Sequence, residues 1–293
     1  MIKVQKASYI GILWFLLSLI CSNTNDIAAK LLVGALPVWE VAYLRFFFGA
    51  LSLLPFLLLN GRASFATPRI GIHIIRGSLL FAAITMWTYG VSVAPLISVT
   101  TLSFTVPIFT LLLAPIFLKE KVGRALWCAT IAGFAGALLV LNPAAFDFNP
   151  YSFILLMASF MFASLDVINK KYVLKETMLS MLFYSALVTT ILAAPLAATV
   201  WVTPDAAQLA VLVLLGIGSN GILYCLLQAF TLMSASSLAP VRYLELLFSA
   251  LTGYFFFHEI PSWSVYTGGP LIVASTLFIT YTQTQQAKRK QRT

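Results

Sequence analysis

Ten apolar stretches, each about twenty residues long and so able to cross roughly 30 Å of hydrocarbon, follow one another along this chain and leave it few ways to fold. They lie at 8–31, 37–59, 70–92, 96–118, 124–141, 151–171, 178–201, 207–231, 238–257 and 262–282. Hydrophobic residues make up 60% of the 293 and charged residues only 9%. No water-soluble domain of that length hides so much apolar surface. The composition therefore predicts an all-α polytopic membrane protein with ten transmembrane helices, since lipid tolerates only segments that satisfy their own backbone.

The net charge of +9 would suggest a nucleic-acid partner in a soluble chain. Its distribution gives a different reason. With the amino terminus cytoplasmic and the spans alternating, thirteen of the eighteen basic residues fall in cytoplasmic segments, among them Lys3, Lys6, Lys119, Lys121, Arg124, Lys288, Arg289, Lys290 and Arg292. The other five (Lys30, Arg45, Arg76, Lys170 and Arg242) lie inside spans, and the external connections carry none. This bias predicts that both termini are cytoplasmic, with no nucleic acid bound. The first span reads as a retained helix rather than a cleaved signal.

The sequence also reads twice. Asp26 and Lys30 recur as Asp166 and Lys170, 140 residues on, and Phe117-Leu-Lys-Glu120 recurs as Phe256-Phe-His-Glu259. Five spans per half is an odd number, so the second half must insert upside down, giving two inverted-topology repeats. The expected units are residues 1–141, a turn-rich linker at 142–150, residues 151–282, and a basic cytoplasmic tail at 283–293 that reads as a short disordered end. Inversion puts the first Asp/Lys pair near the outer face and the second near the cytoplasm.

Charge inside a bilayer is expensive and marks candidate sites. Residues four apart share a helix face, so Asp26/Lys30 and Asp166/Lys170 read either as static ion pairs and interfacial anchors or as alternating gates. Arg242-Tyr243-Leu244-Glu245 is the sharpest cluster. A guanidinium clamps a carboxylate in two places, and a glutamate offers a counter-charge to a cation. Arg76 reads equally as snorkelling or as substrate contact, Arg45 as internally paired, and His73 as interfacial. Trp87, Tyr89, Phe104, Tyr224 and Tyr243, with Asn169, supply stacking surfaces and hydrogen-bonding groups for a polar heteroaromatic ligand. Cys21, Cys128 and Cys225 read as small buried hydrophobes. The motifs of metallopeptidases and phosphate-binding loops are missing from the sequence, which predicts a non-enzyme without cofactor or metal.

Ten spans in two inverted fives, closed by Glu120 and Glu259, resemble the EamA-type members of the drug/metabolite transporter superfamily across residues 8–282. Longer stretches, such as Arg45-Phe-Phe-Phe, His73-Ile-Ile-Arg-Gly77, Trp87-Thr-Tyr-Gly90, Asp166 to Lys171 and Arg242-Tyr-Leu-Glu245, are similar to the S-adenosylmethionine uptake transporters of intracellular bacteria. The resemblance implies a secondary transporter, functional as a monomer. It would move S-adenosylmethionine by alternating access, with S-adenosylhomocysteine as an exchange partner. It further implies that Arg242 meets the ligand carboxylate and that Glu245, with Asp166 or Asp26, faces the cationic centres. Trp87, Tyr89, Phe104 or Tyr243 would stack on adenine or the sulfonium. Export of amino acids or other amphipathic metabolites fits the same cluster, and a non-transporting scaffold or receptor is the alternative of another class.

Overall fold

In hydrocarbon every backbone N–H and C=O needs an internal partner, and a helix supplies one residue by residue. The computed structural model of the chain describes the backbone of residues 2–32, 34–61, 66–93, 96–141, 150–257 and 263–290. Side chains are described for the same residues except 2–7, 30, 57–58, 91–93, 96–98, 150, 256–257 and 283–290. Among the described residues the regular structure is all helical. The first half holds α1 (Ile2–Lys30), α2 (Val38–Asn60), α3 (Ile70–Val93), α4 (Leu96–Ser103), α5 (Val106–Leu118) and α6 (Arg124–Leu141). The second holds α7 (Pro150–Tyr172), α8 (Met178–Ala198), α9 (Ala206–Leu232), α10 (Ala235–Leu238), a 3-10 turn (Ala239–Tyr243), α11 (Leu244–Phe257) and α12 (Trp263–Lys290). Residues 142–149 of the expected linker, and the repeat's His258 and Glu259, lie outside the described residues.

Eight segments are long and apolar enough to cross a membrane, from Ser8–Ala29 through Ala206–Leu232. The expected ninth and tenth do not meet that test. The ninth is divided, and the 14 residues of α11 span only about 21 Å. The tenth, α12, carries Gly268, Gly269 and Pro270 and several polar residues. It also continues to Lys290, so the basic tail extends the helix instead of ending disordered. Gln, Ala, Lys and Arg are good helix formers, which explains the difference.

Two segments are broken. Between α4 and α5 the freed Leu102 carbonyl accepts hydrogen bonds from the Thr105 N–H (3.1 Å), the Thr105 hydroxyl (2.6 Å) and the Ser159 hydroxyl of α7 (2.9 Å). The 3-10 turn between α10 and α11 begins at Ala239-Pro240, where proline cannot donate to the preceding turn. Irregular backbone at membrane depth persists only where protein buries it or it lines a cavity.

The most extensive helix contacts all cross between halves: α1 with α9, α6 with α12, α3 with α7, and α2 with α8 and α9. The halves therefore interleave. In lipid the helices are held by close packing and by interhelical hydrogen bonds. Phe15, Leu111, Met181, Leu227, Phe230, Leu238 and Val241 form the largest buried cluster, drawn from α1, α5, α8, α9, α10 and the 3-10 turn. Glycine lets α6 approach its neighbours. A Cβ on Gly136 would lie 3.0 Å from the Gly268 carbonyl of α12, and one on Gly133 would run into the Tyr243 ring. Gly133 thereby fixes the residue next to Arg242.

Candidate substrate site

The site begins at the 3-10 turn. Had Arg242 and Glu245 shared a regular α-helix, both would face one way. The turn separates them. Arg242 Nη2 donates to Asp166 Oδ2 of α7 at 2.7 Å, while Glu245 Oε1, in the first turn of α11, accepts from Ser22 Oγ of α1 at 3.1 Å. The expected Asp166/Lys170 pairing is also replaced. Asp166 takes Arg242, and Lys170 Nζ donates to the Phe230 carbonyl near the end of α9.

Arg242 and Asp166 line a small cavity, with room for about one water molecule, together with Phe15, Pro107, Thr110, Phe230, Ala235, Leu238 and Ala239. One positive and one negative group thus face a mostly apolar chamber between α5, α7 and the broken ninth segment. That space is far below the roughly 300–1,000 Å³ usual for small-molecule pockets.

Above Glu245, α1 and α11 are laced together by Asn23. Its Nδ2 donates to Ser249 Oγ at 2.7 Å, and its Oδ1 accepts from Thr252 Oγ1 at 2.7 Å. On the other side of α1, Asn25 Nδ2 donates to Ser219 Oγ (3.4 Å), which also accepts from Arg45 Nε (2.5 Å). Asp26 is exposed and interacts electrostatically with Arg45. The first Asp/Lys pair is therefore also tied to an arginine of another helix; the Lys30 side chain lies outside the described residues.

Below the cavity, the turn between α9 and α10 is held from two sides. Lys119 ends α5 in the left-handed region (φ 56°) and turns the chain. Glu120 then reaches α10: its Oε1 accepts from the Ala235 N–H (3.1 Å), and its Oε2 from the Ser236 N–H (3.1 Å) and hydroxyl (2.6 Å). A carboxylate at the first N–H groups of α10 and the Lys170 ammonium at the last carbonyls of α9 both satisfy helix-end groups.

Arg76 belongs to a different network. It is 0% exposed. Its Nε donates to Asn169 Oδ1 (2.8 Å), and its Nη1 donates to the Met181 carbonyl (3.1 Å) and lies 3.3 Å from His73 Nδ1. His73, expected at the interface, is fully buried against the Tyr184 ring, with Nε2 3.5 Å from Glu176 Oε2. Glu176, in the α7–α8 turn, also accepts from Thr67 (2.8 Å) and Arg69 (3.0 Å). Burial works against its charge, yet the hydrogen bonds from Thr67 and Arg69, with the His73 ring close by, outweigh it and hold the carboxyl below the ordinary glutamate range. Snorkelling does not describe Arg76, because α7 and α8 close over it.

The aromatics scatter. Tyr243 is 0% exposed between Phe104 (5.9 Å between ring centres) and Phe134 (6.5 Å), its hydroxyl buried without a hydrogen-bond partner. Trp87 packs on Val99, Leu102 and Leu155. Tyr89 is largely exposed; Tyr224 meets Trp14 edge-on (5.9 Å) and accepts from Gln228 (2.9 Å). The structure thus gathers Arg242 and Asp166 at the cavity, puts Glu245 and the Phe104–Tyr243 pair beside Arg242, and leaves Arg76, Asn169, Trp87, Tyr89 and Tyr224 elsewhere. Sequence reading missed Ser22, Asn23 and Thr110. Five polar residues in a row at Ser22-Asn23-Thr24-Asn25-Asp26, inside an apolar span, were the available signal for the first two.

Comparison with known proteins bears on this arrangement. The EamA-like transporter family model matches residues 9–142 and again 149–281. Two proteins of similar sequence are S-adenosylmethionine uptake transporters. That of Rickettsia bellii is 47% identical over 285 residues, covering 97% of this chain and 98% of its own. That of Rickettsia conorii is 46% identical over 285 residues, 97% of each. A solved crystal structure at 20% identity covers 98% of both chains with a TM-score of 0.78, and so shares the fold. The all-helical fold and its chamber are those of a multi-pass membrane transporter. The chain belongs to the EamA-like transporter family.

Proposed function

We propose that this protein takes up S-adenosylmethionine across the bacterial inner membrane. One observation carries the reading: near-full-length similarity to proteins named for that activity, in a chain whose cavity is lined by one guanidinium and one carboxylate. In this reading Arg242 receives the ligand carboxylate, and Asp166 and Glu245 face its ammonium and sulfonium; the buried Phe104–Tyr243 pair has no free face for adenine. Arg76 and Asn169 serve the fold.

The ten segments form two inverted repeats with both termini cytoplasmic, a reading supported by the one-sided basic residues and by the two family matches. The α9–α10 turn, clasped by Glu120 and Lys170, is then the cytoplasmic closure, and the Asn23 ladder between α1 and α11 the outer one. Transport proceeds as one opens while the other stays shut, with S-adenosylhomocysteine as the counter-substrate. The homocysteine product has no sulfonium, so a site serving both relies on the amino-acid end and the ring.

The test is uptake of labelled S-adenosylmethionine into proteoliposomes, with and without S-adenosylhomocysteine inside. Saturable uptake, faster against internal S-adenosylhomocysteine, is expected. No saturable uptake of either ligand overturns the assignment.

A further inference from the structure

Resting on that reading, we propose that the Arg242–Asp166 ion pair occupies the place of the ligand's amino-acid end. An α-amino-acid zwitterion enters between the two side chains, its carboxylate taking Arg242 and its ammonium taking Asp166.

Three observations carry this. The pair is held by one hydrogen bond, so Arg242 uses one of its five N–H donors on Asp166. Both partners keep contact with open space, at 23% and 11% side-chain exposure, and both line the cavity. They also stand on separate elements, α7 and the 3-10 turn, so they can part without unwinding a helix.

Charge accounting then selects the ligand class. An entering anion would claim Arg242 and leave the Asp166 carboxylate unpaired in an apolar chamber. An entering cation would leave Arg242 unpaired. Stranding a buried charge is strongly unfavourable. A zwitterion compensates both, and the net charge of the chamber does not change. The remaining lining, Phe15, Pro107, Thr110 and Phe230, brings no further charge. The cavity holds about one water as it stands, so the amino-acid end enters as the two side chains part. The nucleoside part needs space opened elsewhere, as when the clasped turn moves. Selection here works by rejection, because a ligand missing one charge strands one partner.

Thermal stabilisation of detergent-purified protein by a ligand series tests this independently of uptake. The probes are S-adenosylmethionine, S-methylmethionine (the zwitterionic end and sulfonium without the nucleoside), decarboxylated S-adenosylmethionine, its deaminated analogue, and 5′-methylthioadenosine, which lacks carboxylate, ammonium and sulfonium. The two zwitterions are expected to bind. Each ligand lacking one of the two amino-acid charges should need at least about tenfold more than S-adenosylmethionine for half-maximal stabilisation, a discrimination typical of lost charge pairs, and 5′-methylthioadenosine more still. Asp166→Asn should bring the deaminated ligand to within about threefold of S-adenosylmethionine, since the ammonium then has no partner to lose. Binding of the decarboxylated and deaminated ligands as tight as that of S-adenosylmethionine in the wild type overturns the proposal, whether or not Asp166→Asn folds. Failure of both zwitterions to bind also overturns it. S-methylmethionine binding without transport of S-adenosylmethionine would instead refute the uptake reading and leave the ion-pair exchange standing.

Discussion

Arg76 and Arg242 are both arginines inside membrane spans, and they have opposite surroundings. Arg76 has no exposed surface and meets Asn169, His73 and the Met181 carbonyl at once. Arg242 makes one hydrogen bond, to Asp166, and faces a cavity. A guanidinium with several fixed partners on α3, α7 and α8 ties helices together. One with most of its donors uncommitted is available to a ligand. The cost of burying charge falls on both, and the difference lies in what each has left to bind.

That contrast can be broken by substitution. Arg76→Ala should have the largest effect on stability, about 3 kcal/mol, since it leaves the Asn169 side chain and Met181 carbonyl without their donor. Thermal unfolding in detergent reads this, and Arg76→Lys should rescue little because an ammonium does not reproduce the guanidinium fork. Arg242→Ala should be milder for the fold, because the Asp166 carboxylate it leaves borders the cavity and water can replace the guanidinium when no ligand fills it. It should weaken S-adenosylmethionine binding by about 2 kcal/mol, or roughly thirtyfold. Equal destabilisation by the two alanines would remove the distinction.

Glu120→Gln keeps one acceptor oxygen and loses the charge, so a cost of about 1 kcal/mol is expected. Cysteine labelling at the α9–α10 turn should rise with it; unchanged labelling would mean that the clasp does not hold the turn. The smallest effect concerns Glu176. Its folded pKa is depressed, so its contribution is present above the ordinary glutamate pKa of 4.5 and is lost as pH falls through the folded value. Arg69 is 43% exposed, which screens the pair and keeps the contribution under about 1 kcal/mol. Wild type should melt above Glu176→Gln at pH 6, and the two melting temperatures should converge as the pH falls below 4.5; a constant gap would show that the carboxylate charge is not what matters.

The class of fold was legible because hydropathy and basic-residue bias act along the chain, where sequence reading works. Arg242 and Glu245 stood out for the same reason, as charges in apolar sequence. Their partners did not. Spacing rules see only one helix, so Asp166 was matched to Lys170 on its own face, whereas the 3-10 turn swings Arg242 towards α7. Arg76 and His73 were read from their depth in a span, but burial is decided by the helices that close over them. Glu120 was visible as a repeat marker; its grip on Ala235 and Ser236 depends on the left-handed turn at Lys119 and on α10 lying opposite. The division of the ninth segment, hinted at by Pro240, came from tertiary packing around Tyr243 and Gly133.

The most direct measurement is the equilibrium dissociation constant for S-adenosylmethionine in purified wild type and Arg242→Ala, compared at equal folded fraction. The account predicts that Arg242→Ala stays folded and binds roughly thirtyfold more weakly. A folded Arg242→Ala protein with the wild-type constant would contradict it.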